Sequence, residues 1–296
     1  MASLKEIKTR IATVESTRKT TSAMKLISSV KLRKTQRALQ HLRPFSEELR
    51  QMIRQTVQEG DKIYSPALDV RKPEKVLLIV VTSNSGLCGA FNALVLKAAM
   101  NHIKTKYETN TDTKEISIAC FGKKAVDFFA KHSYNVVENH IDFITHLDYD
   151  EYHKISERWF EAYKDGTYDL IEMVSNEFIN AVTYKTRVRQ RLPFNIEKPD
   201  VSEDEYPPYR MFYTPNKDAV VQKMIPMSFK VRTYMRFVEA VASENAARMT
   251  AMHKATESAE VLKKDLNLRY NKARQAAITR EIIEITTGAE ANNTQW

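Results

Sequence analysis

From residue 227 to residue 285 the chain contains neither proline nor glycine, and no other feature of the sequence constrains the fold as strongly. Inside a helix glycine costs about 1 kcal/mol relative to alanine and proline about 3, and glycine is the common residue just past a helix end. A run this long without either predicts a helix several times the average of about 11 or 12 residues. The other end of the chain agrees, because residues 1–59 lack glycine and Pro44 is their single proline. At about 1.5 Å per residue, arms of roughly 55 to 60 residues would extend about 80 to 90 Å. Helices of that length need a partner, so the two arms are predicted to pair with each other and protrude.

The apolar pattern of each arm fits that expectation. Leu4, Ile7, Ile11, Val14, Thr21, Met24 and Ile27 follow steps of three and four, with one double step at Thr17 and Arg18, which reads as a coiled-coil seam. Ser3 and Glu6 have the spacing of a capping box, and Pro44 is predicted to bend the helix before Leu49, Met52, Ile53 and Val57 resume the stripe, ending near Gly60. In the last arm the seam is Met235, Val238, Ala242, Asn245, Met249, Met252, Thr256, Ala259, Leu262, Leu266, Tyr270, Ala273 and Ala277. It is thin: alanine lets a partner helix come close but buries less area than leucine, at about 25 cal/mol per Å².

The middle of the chain has a different rhythm. Val76 to Thr82 is an apolar, β-branched strand closed by Ser83–Gly86 and followed by a helical pattern from Ala90 to His102. Ile116–Phe121 reads as a second strand, Lys123–Lys131 as a helix, Tyr149 to Tyr163 as the aromatic face of another helix, and Asp169–Val174 as a third strand. This alternation argues for a parallel sheet covered by helices, a Rossmann-like α/β domain over residues 74–192, with Val182–Leu192 as an alternating edge strand. The prolines and acids of residues 195–216 read as an exposed loop. The predicted organisation is therefore a first coiled-coil helix (1–60), an α/β domain (74–192), a loop (195–216) and a second coiled-coil helix (217–286).

Several function classes find no support. The longest apolar stretch, Val76 to Val81, is far short of the roughly 20 residues that cross a bilayer. Cys88 and Cys120 have neither a CxxC spacing nor nearby paired histidines, so no metal site or disulfide framework is indicated. His140, His146 and His153 sit in a polar stretch and read as solvated loop residues. The segment SNSGLCGAFN, Ser83 to Asn92, lies between a strand and a helix, but its Gly86 and Gly89 match neither GxGxxG nor GxxxxGK. It reads as a structural turn, and no catalytic or cofactor-binding residue is assigned.

Charge is more informative. Residues 1–54 hold 13 Lys and Arg against 4 Glu, a surplus equal to the net charge of +9 for all 296 residues. A basic helical stripe suits nucleic acid, an anionic membrane, a mitochondrial presequence or an acidic protein partner, and the regular heptads argue against the presequence. No aromatic residue interleaves it before Phe45, which argues against single-stranded nucleic acid.

Four segments carry a family resemblance. SLKEIKTRIATVESTRKTTSAMKLISSVKLRK (Ser3–Lys34) resembles the opening helix of the gamma subunit of F-type ATP synthase; ASENAARMTAMHKATESAE (Ala242–Glu260) and LRYNKARQAAITREIIEITTGAEA (Leu268–Ala291) resemble its closing helix. SNSGLCGAFN is similar to that family's SDRGLCGGLN-like loop, departing from it at Ser85 and Ala90, where the family often has Arg and Gly. The resemblance implies an antiparallel coil of the terminal helices around a central α/β domain, working as a non-catalytic rotor shaft that couples proton-driven c-ring rotation to ATP synthesis. It implies as partners the hexamer of alpha and beta subunits, the epsilon and delta subunits and the membrane c-ring, with no cofactor and no nucleic acid. By motif, Met24, Arg248, Arg274, Gln275 and Thr279 correspond to residues that contact the alpha and beta subunits, and Lys263 reads as an exposed position beside them. The start at Met1 on the family helix suggests a bacterial chain, peripheral on the cytoplasmic side of the plasma membrane. A nucleotide-dependent α/β enzyme and a basic coiled-coil scaffold are the competing readings.

Overall fold

The computed structural model describes residues 4–57, 65–108, 113–194 and 212–293. Ser3 of the expected capping box, Gly60 and most of the 195–216 loop lie outside the described residues. The chain divides into two compact units, Met1–Ser28 with Met249–Trp296, and Ser29–Arg248. Two long helices contribute to both: α1 (Leu4–Thr56, 53 residues) and α6 (Lys217–Asn293, 77 residues). Pro44 and Pro226 lie inside these helices and end neither. Each lacks an N–H for the turn before it, a loss that tertiary packing elsewhere along so long a helix outweighs.

In the first unit α1 and α6 form an antiparallel coil, as rising numbers on one helix meet falling numbers on the other. Glu15 meets Lys263 at 3.0 Å, Thr21 meets Thr256 at 2.8 Å, and Lys25 meets His253 at 3.2 Å. The inward phase of α1 runs Ile7, Ile11, Val14, Arg18, Thr21, Lys25 and Ser28. This corrects the expected seam, because Ile27 faces solvent together with Leu26, and Met24 is only half-buried. The heptad keeps its phase by admitting Thr21 and Ser28, both buried, so spacing rather than polarity decides which side is inside. On α6 the inward positions from Met249 to Ala273 match expectation except at one step, where Leu262 is exposed and Lys263 takes the place beside the seam. Ala277 is also exposed.

The second unit holds a five-stranded sheet in the order β3-β2-β1-β4-β5. Its strands are β1 (Lys75–Val81), β2 (Glu115–Phe121), β3 (Val136–His140), β4 (Leu170–Phe178) and β5 (Tyr184–Leu192). The first four are mutually parallel and β5 runs antiparallel along β4. β1 lies between β2 and β4 and buries every residue from Val76 to Val81, which is why it reads as an unbroken apolar run. The sequence does not announce β3. Val136, Val137, Glu138, Asn139 and His140 have no apolar run and pair on one side only.

Helices cover both faces. Leu78, Val80, Ile118 and Cys120 pack against Val95 and Ala99 of α2 (Phe91–His102) and Ala125 and Phe129 of α3 (Lys123–Lys131). The opposite face, with Leu77, Ile79, Phe121 and Met173, meets Tyr152, Ile155, Trp159 and Tyr163 of α5 (Tyr149–Lys164). Phe143 of the short α4 (Phe143–His146), Leu49 and Ile53 of α1, and Val221, Ile225, Phe229 and Phe237 of α6 complete this core. Phe121 is its hub, with ring centroids 4.5 Å from Phe237, 5.5 Å from Phe143 and 5.8 Å from Trp159. His140 stacks on the same ring at 4.7 Å and meets Glu138 at 2.7 Å, so it is a strand residue packed on the core rather than a solvated loop histidine.

Candidate functional site

In an open α/β sheet the strand order reverses at one place, and ligands of such folds sit beyond the carboxyl ends of the strands there. Here the reversal falls between β1 and β4, and the loop Ser83–Ala90 leaves the carboxyl end of β1. Its polar groups are largely engaged by the chain itself. Asn92 Oδ1 accepts from Ser83 N at 2.9 Å, Asn92 Nδ2 donates to Ser83 Oγ at 2.8 Å, and Ser83 Oγ donates to Ser85 O at 2.6 Å. Asn84 Nδ2 donates to Ile141 O at 2.8 Å, while its Oδ1 accepts from Lys123 N at 2.9 Å. Gly89 supplies the left-handed turn at φ 59°, and Leu87 adopts a similar φ of 63°. Ala90, at φ −81°, needs no glycine.

Arg248 closes this loop from α6. Its guanidinium pairs with Glu244 Oε1 at 2.6 Å and donates from Nη2 to Ser85 Oγ at 3.0 Å and to the Ser85 and Gly86 carbonyls at 3.3 Å. Arg248 is 9% exposed, so it acts within its unit as a clamp on the loop. Ser85 suits that role, since its hydroxyl accepts from the guanidinium, whereas an arginine at the same place would set like charges together. Glu244 stands four residues before Arg248, a spacing legible in the sequence. Ser85, 163 positions away, is not.

The remaining site residues belong to the first unit. Arg274, Gln275 and Thr279 are exposed, and Thr279 Oγ1 donates to Gln275 O at 3.0 Å within the helix. Met24 is not near them: its neighbour Lys25 meets His253, which leaves Arg274 about 30 Å further along α6 at 1.5 Å per residue. Lys263, expected to be a free surface position, instead holds Glu15 at 3.0 Å. Glu15 also receives both Nε and Nη2 of Arg18 at 3.1 and 2.9 Å, and bonds from Arg18 and then Lys263 lower its pKa to about 2. Sequence reasoning missed this cross-helix pair because a charge beside a seam looks like any solvated charge until its partner is known.

Among the described residues no group of three or more His, Cys, Asp or Glu side chains is arranged to hold a metal, and no helix is long and apolar enough to cross a membrane. The other concentrated polar group surrounds Glu172 on β4. This buried carboxylate meets His102 Nε2 at 2.5 Å and Lys106 Nζ at 2.6 Å, and accepts from the Tyr107 hydroxyl. Burial alone would raise its pKa, but the bonds from His102, Lys106 and Tyr107 prevail and hold it down at about 2.

A family model described as ATP synthase matches residues 3–291. The chain is 39% identical to the ATP synthase gamma chain of Cytophaga hutchinsonii, over 99% of this chain and 100% of that one. It is 40% identical to the ATP synthase gamma chain of Flavobacterium johnsoniae, again over 99% and 100%. Among solved structures it superposes with TM-score 0.61 on a chain of the Euglena gracilis mitochondrial ATP synthase rotor, at 19% identity over 93% of this chain and 98% of that chain. That likeness carries the fold.

Proposed function

Since the chain belongs to the ATP synthase gamma chain family, we propose a division of labour along it. A gamma chain is the non-catalytic central shaft of the rotary synthase, and this chain's long unequal helices suit that work. The reading rests on one observation. Every residue of α6 from Arg274 to Ala289 is exposed, including Ile278, Ile282, Ile283 and Ile285. A helix end of about four turns with no tertiary contact draws no stability from packing, and four exposed isoleucines in one stretch call for a cover supplied from outside.

The cover is the hexamer of alpha and beta subunits. Arg274, Gln275 and Thr279 bear on it near the free end of α6, and Met24 bears on it further down the shaft. Polar contacts worth about 1 kcal/mol each form and break as the shaft turns, whereas a large apolar interface would hold it at one angle. Arg248, kept as a contact by motif, works chiefly by holding the Ser83–Ala90 loop in shape for the partner that reads it. The α/β domain of residues 74–192 sits on the epsilon subunit and the c-ring, with delta elsewhere in the same assembly, and the complex lies peripherally on the cytoplasmic side of a bacterial plasma membrane. Proton flow through the c-ring turns the shaft.

Affinity purification of the tagged full chain from its own membranes tests this reading. Alpha, beta and epsilon subunits are expected in the eluate, with ATP hydrolysis that needs the assembled complex. Recovery with RNA or lipid alone, or ATP turnover by the chain by itself, would overturn it.

A further inference from the structure

Arg191 is the residue that the sheet leaves over at the end of β5. Ile171 pairs with Leu192 and Glu172 with Gln190, so the register shifts by one and Arg191 falls at the irregularity. Such bulges re-aim a side chain out of the ladder. Here the side chain lines an approximately 270 Å³ cavity bounded also by Arg50 of α1, Arg189 of β5, and Arg232, Thr233 and Arg236 of α6. Arg191 is 6% exposed, and its Nε and Nη2 have no hydrogen-bond partner among the described residues. Arg236 Nε is likewise without a partner among the described residues, while Thr233 lies within hydrogen-bonding reach of the Tyr152 hydroxyl.

The carboxylates beside this cavity among the described residues are already engaged. Glu177 is shared by Arg187 at 3.3 Å, Arg189 at 2.9 Å and Arg236 at 3.2 Å. Glu239 is shared by Arg236 at 2.6 Å and Arg43 at 2.9 Å, and Glu47 meets Arg50 at 3.4 Å. No ion pair to Arg191 exists among the described residues. Burial and the neighbouring Arg236 and Arg232 charges push its pKa down to about 9. A buried cation without a counter-charge is costly to keep, and a well-packed apolar residue in its place would not be. A guanidinium presents paired donors in a planar fork that matches the oxygens of a phosphate.

We propose that this arginine-lined cavity binds one small phosphate-class oxyanion, with Arg191 as its principal donor. The volume is below the range of about 300 to 1,000 Å³ typical of pockets for larger ligands, which favours orthophosphate, pyrophosphate or a phosphate head group over a whole nucleotide. The site shares no lining residue with the Ser83–Ala90 loop, and nothing in the shaft function requires it.

Calorimetric titration of the full chain with orthophosphate, against chloride at matched ionic strength, is the test, with vesicles containing phosphatidylglycerol as a second arm. Saturable binding of one orthophosphate per chain is expected, together with a phosphate-dependent rise in melting temperature that chloride does not reproduce. Arg191→Gln should weaken phosphate binding at least tenfold and abolish the thermal shift, while Arg191→Lys keeps part of it and the exposed Arg33→Gln keeps all of it. Because Arg191→Gln removes an uncompensated charge, it should fold and melt at or above the wild-type temperature in phosphate-free buffer. Vesicle binding that needs Arg191 and is displaced by orthophosphate identifies a lipid head group as the source; phosphate binding without vesicle binding identifies the free ion. Equal effects of phosphate and chloride, or wild-type affinity in Arg191→Gln, would overturn the proposal.

Discussion

Arg248 on α6 donates to Ser85 Oγ at 3.0 Å across 163 residues of sequence, tying the last long helix to the loop that follows the first strand. Both partners of the Arg248–Glu244 pair are nearly buried, so truncating the arginine strands a carboxylate as well as releasing the loop.

Arg248→Ala is therefore expected to destabilise the isolated chain by about 2 to 4 kcal/mol, the range for breaking a largely buried charge pair. The double change Arg274→Ala, Gln275→Ala removes two exposed side chains and should alter chain stability by no more than about 0.5 kcal/mol. Its effect should appear in ATP-driven proton pumping normalised to assembled complex, which falls if these residues bear on the surrounding subunits. Denaturant unfolding and membrane assays of the two variants separate the roles. An unchanged midpoint for Arg248→Ala removes the clamp, and wild-type pumping by the double variant removes the contact.

Glu172 makes stability depend on acid. Its pKa lies at about 2 in the folded chain, below the ordinary 4.5, so it contributes its full stabilisation above pH 4.5 and loses it as the pH falls toward 2. The linkage amounts to about 3 kcal/mol at 1.36 kcal/mol per pKa unit. Urea unfolding of wild type and Glu172→Gln should show a gap that is constant from pH 7 to 5 and narrows below. A gap independent of pH down to 3 would mean that His102, Lys106 and Tyr107 do not hold the carboxylate ionised.

Gly122 stands where β2 ends, at φ 97°, and a Cβ there would lie 2.2 Å from Thr82 O. Neither the backbone conformation nor the space admits a side chain, so Gly122→Ala should cost about 2 to 4 kcal/mol. Gly86 has open space around it. Gly86→Ala should stay within about 0.5 kcal/mol of wild type, and equal denaturation midpoints for the two variants would contradict the close approach.

Cys88 and Cys120 are both buried and unbridged, and burial pushes the Cys120 thiol up to about 12. A thiolate is the reactive species, so both should react with an aromatic disulfide reagent only as fast as the chain opens. No fast thiol is expected in native protein and two in denaturant. One rapidly titrating thiol in the native chain would show that the Ser83–Ala90 loop opens around Cys88.

The helices and strands were legible where a single local rule governed them. The stretch without breakers announced α6, the unbroken run Val76–Val81 announced a strand buried on both faces, and Lys123–Lys131 was bounded by its own pattern. Local pattern failed where the deciding neighbour was distant. Ile27 looks like a seam residue and is exposed, Ser28 looks like surface and is buried, and β3 exists because β2 offers it an edge.

The sequence by itself determined the periodicities, the two breaker-free arms, the buried parallel strand and the family to which they belong, since each depends on residues close together along the chain. Tertiary structure decided which polar groups meet. Arg248 is a clamp because Ser85 lies beneath it, Lys263 is a cross-helix partner because Glu15 stands opposite, and Arg191 has no ion pair among the described residues because the carboxylates Glu177 and Glu239 beside its cavity are held by other arginines. Charge and hydrogen-bond energies depend on distance and burial in space, and those are fixed only when the chain has closed on itself.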